Sequence, residues 1–379
     1  RSNQGNDMVT ISDAEKLRRL EAIARTPSIA AAARELGMDE NNLQKWVSSP
    51  ARKREQDPAI EAAMEEVGTQ MVPRLAWLKT KSETGTSYSV LLKPAEESPE
   101  DLAARVCEIM TGMAPADPVV APAMVDSDLC TVYPLADVHI GMMAWGQETG
   151  EDYDTGIAAN RVREWVGRAV DASPASGLAI ILDVGDLTHA NDQTNQTQRS
   201  KHILAVDTRN FRTLDVTIAT LVYSVEYALR KHARVKVRIL PGNHNPDSYL
   251  VVMFALAERY REEPRVEIQK VPGEFFMHEF GRAMIAAHHG DKSKADRMVH
   301  FIADQYAEAW GRTRHRYLFT GHLHHHKSQD IGGVTWEQLR AVTARDAYAA
   351  SHAYVARAQL QGITLHRERG EVQRVKVGL

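Results

Sequence analysis

Five short apolar runs in this chain each end in His, Asp or Asn, and that recurrence constrains the fold more than any other feature. The blocks are Asp137-Val-His139, Gly185-Asp186, Gly242-Asn243-His244, His288-His289-Gly290 and Gly321-His322-Leu-His324. The runs before them, Thr131–Leu135, Leu178–Val184, Val235–Leu240, Met284–Ala287 and Tyr317–Thr320, have the length and composition of buried strands. Strands that finish at one edge of a sheet deliver their terminal side chains to one crevice. One such block alone would be an ordinary turn, with glycine supplying a positive φ. Five in succession point to a site assembled from the whole domain.

The donor types define its chemistry. Imidazole and carboxylate without thiolate suit manganese, iron, zinc or nickel, with manganese the first expectation, rather than a structural zinc cage. Two adjacent cations repel strongly unless an anionic oxygen lies between them, and Asp186 is placed to supply it. A metal pair lowers the pKa of water held between the ions towards neutrality, which provides hydroxide for in-line attack on phosphorus. His244 is the candidate to assist the leaving oxygen.

Over roughly residues 130–379 the order of these blocks resembles the calcineurin-like metallophosphoesterase family, whose pattern runs D-x-H, G-D-x-x-D, G-N-H-D/E, H-G, G-H-x-H. The resemblance implies an α/β fold, a four-layer αββα sandwich, and two divalent metal ions. By that resemblance the first metal takes Asp137, His139, Asp186 and His324, and the second takes Asp186, Asn243, His289 and His322. This sequence departs from the pattern in having His189 where the family has a second acid, and Asn245 where it has Asp or Glu. Both positions are expected to orient the site rather than ligate. His288 is expected to face away from His289, because successive strand side chains alternate. His325 and His326 lengthen the last block and are expected at the surface or behind the ligands.

The N-terminal region reads differently. Ser12-x-x-Glu15 resembles a capping box for a helix to about Arg25, and Pro27-Ser28 opens a second helix that Gly37 stops. A third helix starts at Asp39 or Glu40. This all-α pattern resembles the helix-turn-helix of transposase and phage regulatory proteins, which implies DNA contacts from Asn41, Asn42, Gln44 and Lys45. The same trihelical pattern also suits protein docking or a homo-oligomer. Residues 1–130 hold 15 Lys/Arg against 21 Asp/Glu and the remainder 31 against 29, so neither part shows the basic excess of a strong DNA binder. The expected organisation is residues 8–50 as this domain, 51–128 as a connecting segment with a short helix, a hairpin and a Pro/Ala linker, and 129–379 as the metal-binding domain, with helices over 158–172, 215–230 and 297–310 covering its sheets.

No run approaches the length of apolar residues that spans a bilayer, and Cys107 and Cys130 are the only cysteines, so a cytoplasmic protein without disulfides or membrane contact is expected. Asn191–Gln198, with Arg199, Lys201, His202 and Arg209 after it, is a polar and basic loop downstream of Asp186 that could follow a phosphodiester backbone. The length of chain after His324 is not expected to hold the capping domain of the DNA double-strand-break repair nucleases of this superfamily, which counts against a close match to them. The composite expectation is a metal-dependent phosphodiesterase, a nuclease acting on DNA. The alternatives are a small-molecule phosphodiesterase or phosphomonoesterase, and a non-catalytic DNA-binding regulator with a vestigial site.

Overall fold

The computed structural model describes Arg18 and residues 29–39, 42–43, 77–81, 87–91 and 115–378. The chain divides into two units, Arg1–Ser98 and Pro99–Leu379.

In the first unit, helix α1 spans Ile29–Leu36 and stops at Gly37, whose φ is 67°. The Gly37 N–H donates to the Arg34 carbonyl and the Met38 N–H to the Ala33 carbonyl, a paired closure that only a left-handed residue permits. Asp39 then caps the next turn, its carboxylate accepting from the Asn42 N–H at 3.1 Å. Ala32, Ala33 and Leu43 are buried. The expected first helix and most of the third lie outside the described residues. Strands β1 (Trp77–Lys81) and β2 (Ser87–Leu91) form the anticipated antiparallel pair.

The second unit contains two sheets. The larger joins β3 (Asp126–Leu135), β4 (Ser176–Asp183), β5 (Val235–Ile239), β6 (Val266–Ile268), β12 (Gln359–His366) and β13 (Gly370–Gly378) in the order β13-β12-β3-β4-β5-β6. The smaller joins β7 (Phe276–Phe280), β8 (Ala283–Ala287), β9 (His315–Thr320), β10 (Lys327–Ile331) and β11 (Val334–Gln338) in the order β10-β11-β9-β8-β7. Within them β3, β4 and β5 run parallel, as do β8, β9 and β11, so their carboxyl ends emerge together.

Alternation along these strands decides what packs where. On β4, Leu178, Ile180 and Leu182 enter a core that also holds Ile285, Ala287 and Phe319 of the smaller sheet, while Ala179 and Ile181 join a second core. After the short helix α2 (Gly146–Thr149), that second core is closed by helices α3 (Thr155–Ala172), α4 (Asn210–Leu229) and α5 (Ser248–Arg259). A third core sets Met284, Ala286 and Leu318 against Met298 and Val299 of α6 (Ala295–Gln305) and Ala309 of α7 (Ala307–Arg312). Helices therefore flank two facing sheets. At one side the sheets are also clamped by Arg374 of β13, whose Nη1 donates to both Glu337 carboxylate oxygens of β11 at 2.6 and 2.7 Å.

One expectation needed revision. The single helix over residues 297–310 is two, broken at Tyr306 (φ −119°, ψ 40°) without a glycine or proline to mark the break. The run from Tyr249 to Leu256, which the sequence analysis left unassigned, forms α5 and buries most of its apolar side chains. The stretch around residues 115–122 is docked, with the Ala116 N–H on the Arg259 carbonyl and the Arg265 guanidinium on the Val119 carbonyl. No described helix is long and apolar enough to cross a membrane.

Phe319 is fully buried between the sheets. Phe319→Ala is expected to cost about 3–5 kcal/mol in urea unfolding of the whole chain, and a loss below ~1 kcal/mol would contradict the inter-sheet core.

Candidate metal centre

All five sequence blocks meet at one place. Asp137 and His139 follow β3, Asp186 follows β4, Asn243 and His244 follow β5, His289 follows β8, and His322 and His324 follow β9. The backbone there is unusual. Asp137, His139, Asp186, His322 and His324 all hold φ between 49° and 71°, a region costly for residues with a side chain. Five of the eight such residues in the described chain are therefore candidate ligands, so strain is concentrated where the donors turn inwards.

Asp186 is the hub. Its N–H donates to Asn245 Oδ1 at 3.1 Å, and its carbonyl accepts from the His139 N–H at 2.9 Å. Its Oδ1 accepts from the His244 N–H at 2.8 Å, which leaves Oδ2 lying 3.1 Å from His289 Nε2 and 3.9 Å from His139 Nε2. Glycines allow this crowding: a Cβ on Gly185 would stand 2.5 Å from His289 Nδ1, and one on Gly321 2.6 Å from an Asp137 oxygen.

Two groups of three donors flank Asp186. Asp137, His139 and His324 form one, and Asp186, His289 and His322 the other, with all donor atoms of a group within 4.8 Å of one another. Asn243 Oδ1 lies 3.1 Å from His289 Nε2, which adds it to the second group. The donor set fits a cation by its own electrostatics. His289 Nδ1–H donates to the Val184 carbonyl at 3.0 Å, so Nε2 faces the Asp186 and Asn243 oxygens and needs a proton or a cation between them. His139 Nε2 and His324 Nε2 approach to 3.3 Å beside the Asp137 carboxylate. Acceptors this close repel one another until protons or cations lie among them.

The proton balance follows. Burial raises the cost of charge on Asp186, but His289, His244 and His139 outweigh it and hold the carboxyl well below the ordinary range. Burial likewise opposes charge on His289, yet Asp186 pushes its pKa up to about 10. Burial, reinforced by neighbouring imidazoles, lowers His139 and His189 well below the ordinary histidine value.

The remaining sequence assignments are resolved individually. His288 faces away from the donors, with its ring against Phe275 and Nε2 3.5 Å from Glu274. His325 is exposed, and His326 lies 3.2 Å from Glu337 outside the donor groups. Asn245 is fully buried and its Oδ1 accepts from both Gly242 and Asp186 N–H groups, which accounts for an amide at that position. His189 is more involved than the sequence suggested. It is buried, its Nδ1 is 3.1 Å from His139 Nδ1, and His139, His189 and His244 form a third group of close donors. Its offset of three residues from Asp186 was the available clue. His244 donates through Nδ1 to the His189 carbonyl at 2.8 Å, leaving Nε2 as its unengaged ring nitrogen. Of the DNA-contact candidates Asn42 is exposed in a helical turn, whereas Asn41, Gln44 and Lys45 lie outside the described residues.

No family model matches the chain, and no curated protein matches it. Solved structures with some likeness include a predicted phosphoesterase from Streptococcus pneumoniae, at 12% identity over 68% of this chain and 100% of that one, TM-score 0.27. Others are an archaeal phosphodiesterase (11%, 66% and 99%, TM-score 0.34) and a dimetal phosphatase from Danio rerio (10%, 65% and 98%, TM-score 0.34). Values this low leave the side chains above to carry the functional inference.

Metal binding should release protons at neutral pH. His289 is protonated in the metal-free protein, and a ligand imidazole must be neutral, so apparent affinity rises with pH until about 10. Calorimetric manganese titration in buffers of different ionisation enthalpy reads this release directly, and its absence would contradict the His289 assignment. Asn245→Ala, which leaves two buried N–H groups unsatisfied, is expected to weaken metal binding about 10–100-fold in the same titration.

Proposed function

We propose that the chain is a dinuclear-metal phosphodiesterase acting on DNA. The observation that carries the first part is the convergence on Asp186 of two His/Asp donor groups from four different strand ends. Asp137, His139, His324 and Asp186 would hold one divalent ion, and Asp186, Asn243, His289 and His322 the other. When bound, such a pair supplies Lewis acidity towards phosphoryl oxygens and makes water acidic enough to attack near neutral pH. Manganese is the metal we favour.

The protein side chains supply the rest. His244 is anchored through its backbone on Asp186 and through Nδ1 on His189, so its Nε2 is the group to protonate or stabilise a departing oxygen. Asn245 and the glycines keep Asp186 in place. The preference for DNA rests on the basic residues Arg199, Lys201 and Arg209 of the loop after Asp186 and on α1 with its Gly37 stop and Asp39 cap, which we read as part of a helix-turn-helix.

One observation favours a smaller phosphoester instead. A cavity of about 430 Å³, bounded by Gly290, Gly321, Leu323, Lys327 and Trp336, adjoins the His289 and His322 loops and has the size of a small-molecule site. Manganese-dependent cleavage of end-labelled DNA, lost in Asp186→Asn, supports the DNA reading. Cleavage of small phosphodiesters with DNA left intact supports the alternative. His244→Ala should retain metal binding and lower kcat about 10²–10⁴-fold, and unchanged turnover would remove it from the mechanism.

A further inference from the structure

Two segments that leave the metal centre carry aromatic rings to the surface, and the rings meet. From the loop after Asp186 comes His202, and from α8 (Ala347–Ser351) and the turn after it come Tyr348, His352 and Tyr354. Ring centroids follow at 6.2 Å from His202 to Tyr348, 4.2 Å from Tyr348 to His352, and 5.7 Å from His352 to Tyr354. The last pair is stacked, with an interplanar angle of 26°, while the first two are tilted at 53° and 34°. Tyr348 is 58% and Tyr354 60% exposed, and Ile203 beside His202 is 84% exposed. Isolated exposed apolar side chains are ordinary, but four rings in sequence from two chain segments form a platform.

The platform is tied to the catalytic edge by hydrogen bonds. The Met143 N–H donates to the Ala205 carbonyl and the Asp207 N–H to the Gly141 carbonyl, which fixes the His202 loop against the segment that follows His139. The Thr343 N–H donates to the Asp137 carbonyl, and Asp346 caps α8 through the Ala349 N–H at 2.7 Å. Asp346 is close enough to act electrostatically on His324.

Four basic residues lie in the His202 loop and at the start of α4. Arg199, Lys201, Arg209 and Arg212 are all exposed, and none has an ion-pair partner among the described residues. Of the acids in these segments, Asp192 accepts from Thr194 and Gln198, Asp207 from Thr155 and Asp346 from Ala349. Successive flat rings beside unpaired cations match a chain of unpaired bases on a phosphodiester backbone, because each base has a face to stack and each link carries an anion. A duplex keeps those faces buried in its own stack.

We infer that the His202–Tyr348–His352–Tyr354 ladder binds a single strand of nucleic acid and leads it to the metal centre. This rests on the phosphodiesterase reading for its catalytic consequence but not for binding. The test is fluorescence anisotropy of labelled oligothymidylate and of a duplex of equal length with the full chain, its Tyr348→Ala/Tyr354→Ala variant and its Tyr348→Phe/Tyr354→Phe variant. Manganese-dependent hydrolysis of bis(p-nitrophenyl) phosphate, which carries no run of bases to follow the ladder, is measured alongside. The expected result is tighter binding of the single strand, a loss of about tenfold or more with alanine, retention with phenylalanine, and unchanged small-ester turnover in both variants. Ladder-dependent binding with no small-ester hydrolysis by the unmodified chain would uphold the ladder and defeat the catalytic reading. Single-strand binding unaffected by the alanines would overturn the inference. So would a dimer in sedimentation that dissociates in the alanine variant, which would assign the rings to self-association.

Discussion

The mutual repulsion of buried electron pairs around Asp186 is the constraint on which the rest of the structure depends. Two imidazole nitrogens and an amide oxygen crowd one carboxylate in a place with almost no access to water. Such a cluster is costly unless cations or protons occupy it. The fold spends five left-handed, non-glycine backbone positions in assembling it. Strain of that kind persists only where surrounding structure fixes it, and here parallel strands from two sheets do so.

The sheets explain how residues nearly two hundred positions apart become neighbours. Parallel pairing of β3, β4 and β5 and of β8 and β9 points five strand ends in one direction, and the core between the sheets holds the two sets in register. The Asp137 carboxylate, from the larger sheet, accepts from the His322 N–H of the smaller at 3.0 Å. The site is thus also a contact between sheets, and its geometry is coupled to the core beneath it.

Much of this was legible in the sequence because the strand runs are apolar and end in abrupt turns. The five core strands, α3 and α4 were found within a few residues, and every candidate metal ligand arrives at one crevice. His288 was assigned correctly from strand alternation alone. The misses have physical causes. α5 is apolar on most of its surface, so it lacks the polar stripe that announces a helix. The break at Tyr306 has no residue that enforces it. His189 lacked a motif of its own and gained significance only when folding placed its ring against His139. The aromatic ladder joins segments about 150 positions apart, which no local pattern could pair.

The central claim is that Asp186 joins two metal ions. Electron paramagnetic resonance of the protein loaded with manganese tests it most directly, with metal content measured on the same sample. The account predicts two ions per chain and an exchange-coupled spectrum that collapses in Asp186→Asn. One ion per chain, or the hyperfine pattern of isolated manganese at full loading, would contradict it.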